Sequence, residues 1–421
     1  MNQKIKKFVS SVAVLFLFGA CSSYTAVSKS ARTNFYDGEY AEAAKKLEKG
    51  AYTDGKDRLL YLLDRATALH QAGDFQQSNK DFLSADKLAE ISDYTSLSEE
   101  AATFLTSDEI KYYKGEEFEY VLISQYLAIN YLMLKKYEDA LVECRRVNHK
   151  LYLLKTQGKR KYELNPMAQY LAAMIYEDQG EYDNAYIDYK NVFDILPDFP
   201  YLREDLYRMA WKNKDRQAMD QWVEHYNLSA QDKDSIKKRF AQAEVVFIVE
   251  NGKSPEKQPN PNWHSLPRYL PRANPVTHVN VTVKNEPASV PLVSQKLYDI
   301  EKIAIQNLDE KFGGLVAKKL TGVVAKEVLA NEVGKRTDPL VGFLLKMGMY
   351  AGDRADTRSW LTLPKDFQIV RLRLEKEGEY AVELQPMSGD VPQKGGMEKK
   401  ILVAEPVGRK IQRDFIPVRI L

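Results

Sequence analysis

The sequence predicts an α+β protein: an N-terminal solenoid of stacked α-helical hairpins, then a C-terminal mixed α/β domain built mainly on antiparallel sheet. Three observations predict it. Small residues, turn glycines and aromatics recur at repeat-like spacings through residue 242; from Ala243 the pattern changes to β-branched runs and period-two alternation. Charge divides at the same place, with 31 basic and 37 acidic residues in 21–242 against 27 and 22 in 243–421. The opposed excesses could help the two halves dock, or turn the basic half toward anionic lipid or glycan phosphate.

The chain opens with Lys4, Lys6 and Lys7, thirteen mostly apolar residues from Phe8 to Ala20, and then Gly19-Ala20-Cys21-Ser22. The run is short for a membrane span, which needs about 20 residues, and small residues before a cysteine suit cleavage. It resembles a bacterial lipoprotein signal, with Phe18 where such signals usually carry Leu. The resemblance implies a covalent lipid on Cys21 and removal of residues 1–20; Ser22 in place of Asp implies sorting to the outer membrane, facing the periplasm. The mature chain then carries 58 basic and 59 acidic residues, so the basic character of the whole sequence belongs largely to the signal. Cys144 is left without an intramolecular disulfide partner, and Leu141-Val142-Glu143-Cys144 reads as a buried apolar site.

In 21–242 the clearest repeat is Ala172, Ala173, Tyr176, Gly180-Glu181-Tyr182, Ala185, Tyr189, Val192 and Pro197. Small alanines let two antiparallel helices approach, glycine supplies the turn, tyrosines fill the space between hairpins, and proline stops the second helix. The pattern resembles the tetratricopeptide (TPR) repeat. Further copies are Ala128, Tyr131, Tyr137, Ala140, Cys144 and Val147; then Ala66, Leu69, Gly73, Phe75, Ser78, Phe82 and Ala85. Gly38, Tyr40, Ala43 and Leu47 mark a first copy, and Met209, Ala218 and Trp222 a degenerate last one. The turns fall at 38, 73, 135 and 180, with insertions at 89–115 and 153–164.

The TPR resemblance implies a concave face lined by the first helix of each repeat. Carried onto this chain, that face holds Leu60, Leu63, Thr67, His70 and Gln71; Leu122, Gln125, Ile129, Leu132 and Met133; and Met167, Tyr170, Met174, Glu177 and Asp178. So apolar a face implies an occupied groove, filled by a partner peptide or by a later segment of the chain itself.

The second half starts with the strand Val245 to Val249 and an Asn251-Gly252 turn. Six prolines between 255 and 275, with Trp263 and Tyr269 among them, predict an extended ordered loop, so 243–276 reads as a strand plus connecting segment before a domain at 277–421. Val279, Val281 and Val283 alternate as a half-buried strand, with a short neighbour at 289–293. Residues 297–352 read as helices, Leu315 to Leu329 as an interior helix and Pro339 to Gly352 as a buried one or a membrane contact. Strands follow at 367–374, 380–384, 400–403 and 415–421, the Arg371/Arg373 alternation predicting a face toward water.

The most distinctive stretch outside the repeats is Asp353-Arg354-Ala355-Asp356-Thr357-Arg358-Ser359-Trp360-Leu361-Thr362-Leu363-Pro364. With Val245 to Lys257, it makes the chain similar to a family of uncharacterised bacterial TPR lipoproteins, which carries no established chemistry to transfer. Read from its residues, Asp356 and Arg358 pair to fix a tight connection that Trp360 and Leu363 anchor; the other reading is a ligand loop.

Catalytic patterns are missing: no Gly-x-Ser-x-Gly, phosphate-binding loop or His-Glu-x-x-His occurs, and the five histidines lie far apart. Ser235 to Lys238 and Ser254 to Lys257 match Ser-x-x-Lys without the partner motifs. The expectation is a non-catalytic scaffold of the bacterial cell envelope, without cofactor or metal beyond the lipid on Cys21, holding an envelope protein or peptide in the groove. The alternative is a glycan- or lipid-binding protein using Trp263, Tyr269, Asp356, Arg358 and Trp360, with the repeats as a positioning arm. Dispersed basic residues argue against nucleic acid.

Overall fold

The computed structural model describes residues 23–99, 112–157, 165–239, 242–284, 291–336, 340, 354–403 and 412–421. The signal segment, Cys21, Pro339 and residues 341–353 lie outside them. Five helical hairpins follow one another: α1 (Ser23–Tyr36) with α2 (Tyr40–Tyr52), α3 (Arg58–Gln71) with α4 (Phe75–Glu99), and α5 (Glu117–Met133) with α6 (Tyr137–Gln157). Then come α7 (Pro166–Gln179) with α8 (Tyr182–Ile195), α9 (Leu202–Lys212) with α10 (Arg216–Tyr226), and a short α11 (Ala230–Lys238).

One turn geometry closes the first helix of all five hairpins. Gly38, Gly73, Lys135, Gly180 and Lys214 follow the first helix of each hairpin with φ of 83°, 82°, 56°, 85° and 59°. At the third of these glycines, the Gly180 N–H donates to the Glu177 carbonyl at 3.0 Å and the Glu181 N–H to the Tyr176 carbonyl at 2.8 Å; the other four turns repeat both bonds. This is the Schellman closure, which satisfies orphan carbonyls and favours glycine because φ is positive. It explains why turns were legible at 38, 73 and 180, and places lysine at the two where no glycine marks the spot.

The second half forms two stacked sheets. The first has the order β11-β1-β7-β6, with β1 (Ala243–Asn251) parallel to β11 (Gln412–Ile420) and antiparallel to β7 (Asp366–Leu374), which pairs β6 (Gln295–Asp299). The second has the order β10-β8-β4-β5, from β4 (His278–Val283), β5 (Leu292–Val293), β8 (Gly378–Ser388) and β10 (Met397–Val403), with β9 (Val391–Pro392) paired to β8. All nine residues of β1 are buried. Val245, Phe247 and Val249 of β1 and Val370 of β7 face the second sheet, where they share a core with Val279, Val281 and Leu384. Val246 and Ile248 point the other way, into one continuous core with the helices. Three layers result, solenoid, first sheet and second sheet, and the domain is mixed and mainly antiparallel.

Three expectations need correction. The proline-rich stretch is a hairpin, β2 (Glu256–Asn260) with β3 (Trp263–Leu270), in which Pro259 lies opposite Pro267. A two-stranded ribbon tolerates proline because each strand keeps an outward edge that needs no donor. Residues 297–299 end β6 before the long helix α12 (Ile300–Arg336) begins. Among its described side chains that helix is not interior throughout: Ile300, Ala304, Leu308 and Ala330 are buried, whereas Leu320 is 52% exposed.

Candidate functional site

The expected groove residues do converge on one face. Leu60, Leu63, Thr67 and His70 of α3, Leu122, Gln125, Ile129 and Leu132 of α5, and Met167, Tyr170, Met174 and Glu177 of α7 are all buried. Met133, Gln71 and Asp178 sit half-buried at its margin. What covers them is the chain itself. Val246, Ile248, Phe367, Ile369, Trp360 and Leu363 share their core. Of the two occupants the sequence allowed, a partner peptide or a later segment of the chain, the later segment fills this face. Left bare, such a face would cost about 25 cal/mol per Å² of apolar area, and the first sheet supplies the matching surface.

Charge organises the contact at the α7–α9 end. Arg371 on β7 donates to Tyr170 Oη at 2.7 Å, to Asp205 at 2.8 Å and to Glu244 Oε1 at 2.8 Å. Arg413 on β11 reaches Glu177 at 2.7 Å, Asp178 at 2.6 Å and Glu244 Oε2 at 2.6 Å. Arg208 of α9 closes the mesh onto Glu177 at 2.5 Å and Asp205 at 2.6 Å. Burial alone would raise the Glu244 carboxyl, but Arg371, Arg413 and Arg373 outweigh it and hold the group well below the usual range. The Arg371/Arg373 face is thus turned to the solenoid's acids and not to water, because Arg371 is buried and paired. Asp205, Arg208, Glu244 and Arg413 escaped sequence reasoning; the opposite charge of the two halves was a signal for Asp205 and Arg413, whereas Arg208 and Glu244 carry the minority sign of their own halves and had none.

The second anchoring point is the loop before β7. Arg358 pairs with Asp356 and with Asp57, each at 2.7 Å. The Trp360 backbone N–H donates to Glu119 Oε1 at 2.7 Å, and its indole N–H to Thr67 Oγ1 at 2.9 Å and Thr362 Oγ1 at 3.0 Å. Thr362 in turn donates to Asp64 at 2.8 Å. Ser254 N–H bonds the Leu363 carbonyl at 2.9 Å, so the two distinctive stretches of sequence adjoin. Gly252 makes the bend between them and β1: φ is 67°, and a Cβ there would meet Asn274 Nδ2 at 2.1 Å. Two of the residues expected to line a glycan or lipid site are enclosed. Trp360 is 1% exposed and Tyr269 7%, so neither presents a ring to a ligand, and Asp356 and Arg358 are spent on each other and on Asp57. Trp263 is half-buried on β3.

Near this loop two carboxyls differ. Burial would raise Glu116, yet Lys257 at 2.5 Å and Lys311 at 3.3 Å hold it at about 2. Glu119 is pushed up to about 7, first by burial and then by the Glu116 charge. Among the described residues no group of three or more His, Cys, Asp or Glu is placed to hold a metal, and no helix is long and apolar enough to cross a membrane. Cys144 is buried, and burial pushes its thiol up, as suits an apolar filler.

No family model and no curated protein matches the chain. Among solved structures it is similar to a putative kinesin light chain with nearly identical TPR-like repeats from Podosopora anserina, at 16% identity over 48% of this chain and 92% of that one, TM-score 0.32. MamA from Desulfovibrio magneticus RS-1 has 16% identity over 50% of this chain and 95% of that one, TM-score 0.32. A tetratricopeptide repeat protein from Parabacteroides merdae has 14% identity over 51% and 86%, TM-score 0.23.

Proposed function

We propose that this chain is a non-catalytic interaction scaffold of the bacterial cell envelope, one of the TPR lipoproteins its sequence resembles, tethered to the outer membrane through a lipid on Cys21. Support for the tether comes from the Lys4 to Cys21 signal pattern, and support for a scaffold from the stacked hairpins. One observation carries the mode of action: the inner face that such repeats use for peptides is filled by the protein's own sheet. The scaffold therefore offers an envelope protein its outer helices and outer sheet, while the inner face joins the two halves through a shared core.

Whole-cell crosslinking followed by identification of captured proteins tests this. With wild-type protein, envelope partners are recovered and the chain fractionates with the outer membrane. With Cys21→Ala, which leaves the folded body untouched, the chain appears in the soluble envelope fraction and capture of membrane-bound partners drops. Unchanged fractionation of that variant removes the anchor from the proposal; recovery of a peptide crosslinked to Leu132 or Tyr170 removes the filled groove.

A further inference from the structure

The middle of the inner face holds one histidine whose surroundings dictate its protonation. His70 of α3 is 1% exposed. Its Nε2 lies 2.8 Å from Glu250 Oε1 on β1, and its Nδ1 lies 2.5 Å from Asn130 Oδ1 on α5. The side-chain amide of Asn130 is oriented by the next link. Asn130 Nδ2 lies 2.9 Å from Ser78 Oγ on α4, and Ser78 Oγ lies 2.8 Å from the Ala66 carbonyl. A carbonyl only accepts, so the Ser78 hydroxyl proton points to Ala66. Ser78 must then accept from Asn130, which leaves the Asn130 oxygen toward His70. An oxygen acceptor faces each ring nitrogen, so each nitrogen carries a hydrogen.

The groups on every side fit this. Glu250 also accepts from Gln71 at 2.8 Å, from Tyr126 Oη at 2.7 Å and from Arg419 of β11 at 3.3 Å. Burial would raise its carboxyl, but His70 and Arg419 hold it at about 2, so it stays an acceptor. Tyr126 is pushed well above the usual phenol range by burial and the Glu250 charge, and remains a donor. Tyr40 of α2 is raised by burial and stays neutral beside Arg419 and Glu250. Phe75 and Tyr126 meet the imidazole edge-on at 5.6 and 5.2 Å and offer it no competing acceptor.

We infer that His70 is a buried imidazolium whose second proton latches the solenoid to the sheet. The ring is the link between Asn130 of the helices and Glu250 of β1. Once it loses a proton, either the Glu250 contact loses its donor or a lone pair is set against Asn130 Oδ1. The contact is whole only while both ring nitrogens carry hydrogen, and it is broken on one side when either is lost. The inner face is thus closed by a proton-dependent clasp. The inference rests on the occupied inner face and is independent of the envelope assignment.

The test is nitrogen NMR of the histidine rings in the full chain, assigned by single His→Gln variants. At neutral pH both nitrogens of His70 are expected to read as protonated, because each faces an oxygen acceptor. A neutral His70 in the wild type at that pH overturns the inference. Ser78→Ala frees Asn130 to turn its amide nitrogen toward the ring, and His70 is then expected to read as neutral with helix content unchanged; a ring still doubly protonated overturns the Ser78–Asn130 relay. If Ser78→Ala does not fold, the wild-type spectrum decides alone.

Discussion

The indole nitrogen of Trp360 donates to Thr67 Oγ1 across 2.9 Å, joining the loop before β7 to the middle of α3 over 293 residues of chain. Around that bond, Trp360 packs on Phe82 and Tyr126, with ring centroids 5.7 and 5.6 Å away. One aromatic side chain thus bridges two hairpins and the sheet.

Trp360→Ala is expected to cost roughly 3–5 kcal/mol, because a buried ring leaves a cavity that three elements cannot fill. Trp360→Phe should keep most of the packing and lose the hydrogen bonds, about 1 kcal/mol. Urea unfolding of the two variants separates the packing and polar parts; equal losses would show that the ring volume is immaterial.

Arg371 and Glu244 form part of a buried mesh in which removing one partner strands the other. Arg371→Met and Glu244→Gln should each cost about 3–5 kcal/mol. The double variant should fall short of the sum by about 1 kcal/mol or more, since the two share a contact. A double-mutant cycle from urea midpoints measures the coupling, and additive losses would contradict it.

Lys135 holds the turn between α5 and α6 at φ 56°, where glycine is at ease. Its ion pair with Asp414, at 3.6 Å and largely exposed, contributes little. Lys135→Gly is expected to stabilise by roughly 0.5–1 kcal/mol, read as a rise in Tm. A fall of similar size would mean that the Asp414 contact outweighs the backbone.

Glu116 and Glu119 set opposite pH slopes. Glu116, held at about 2, binds fewer protons folded than unfolded, so its contribution is present above pH ~4.5 and lost as pH falls toward 2. Glu119, raised to about 7, holds its proton in the fold between pH ~4.5 and 7, so stability falls as pH rises through that window, by up to about 3 kcal/mol. Glu119→Gln should flatten the slope between pH 4.5 and 7 in urea titrations and leave the acid limb in place. A slope that survives the substitution would assign it to other groups.

Much of the local structure was legible. Ala173, Gly180 and Tyr182 announce a hairpin because close helix approach, positive φ and inter-helix filling are short-range requirements. Lys135 was found only by alignment and Lys214 not at all, since lysine carries no mark of positive φ. The prolines at 259 and 267 read as loop, because a sequence does not show which edge of a ribbon is free.

By itself, then, the sequence determined the helical repeats, the change to strands at Ala243 and the apolar character of the inner face. Each follows from contacts within a few residues or from periodicity. The tertiary structure alone decided what covers that face. Arg371 looked like a water-facing residue on an alternating strand, and His70 like an isolated histidine. Their partners Asp205 and Glu250 lie 166 and 180 residues away. Burial of an ion pair depends on which surfaces meet, and no local pattern encodes that.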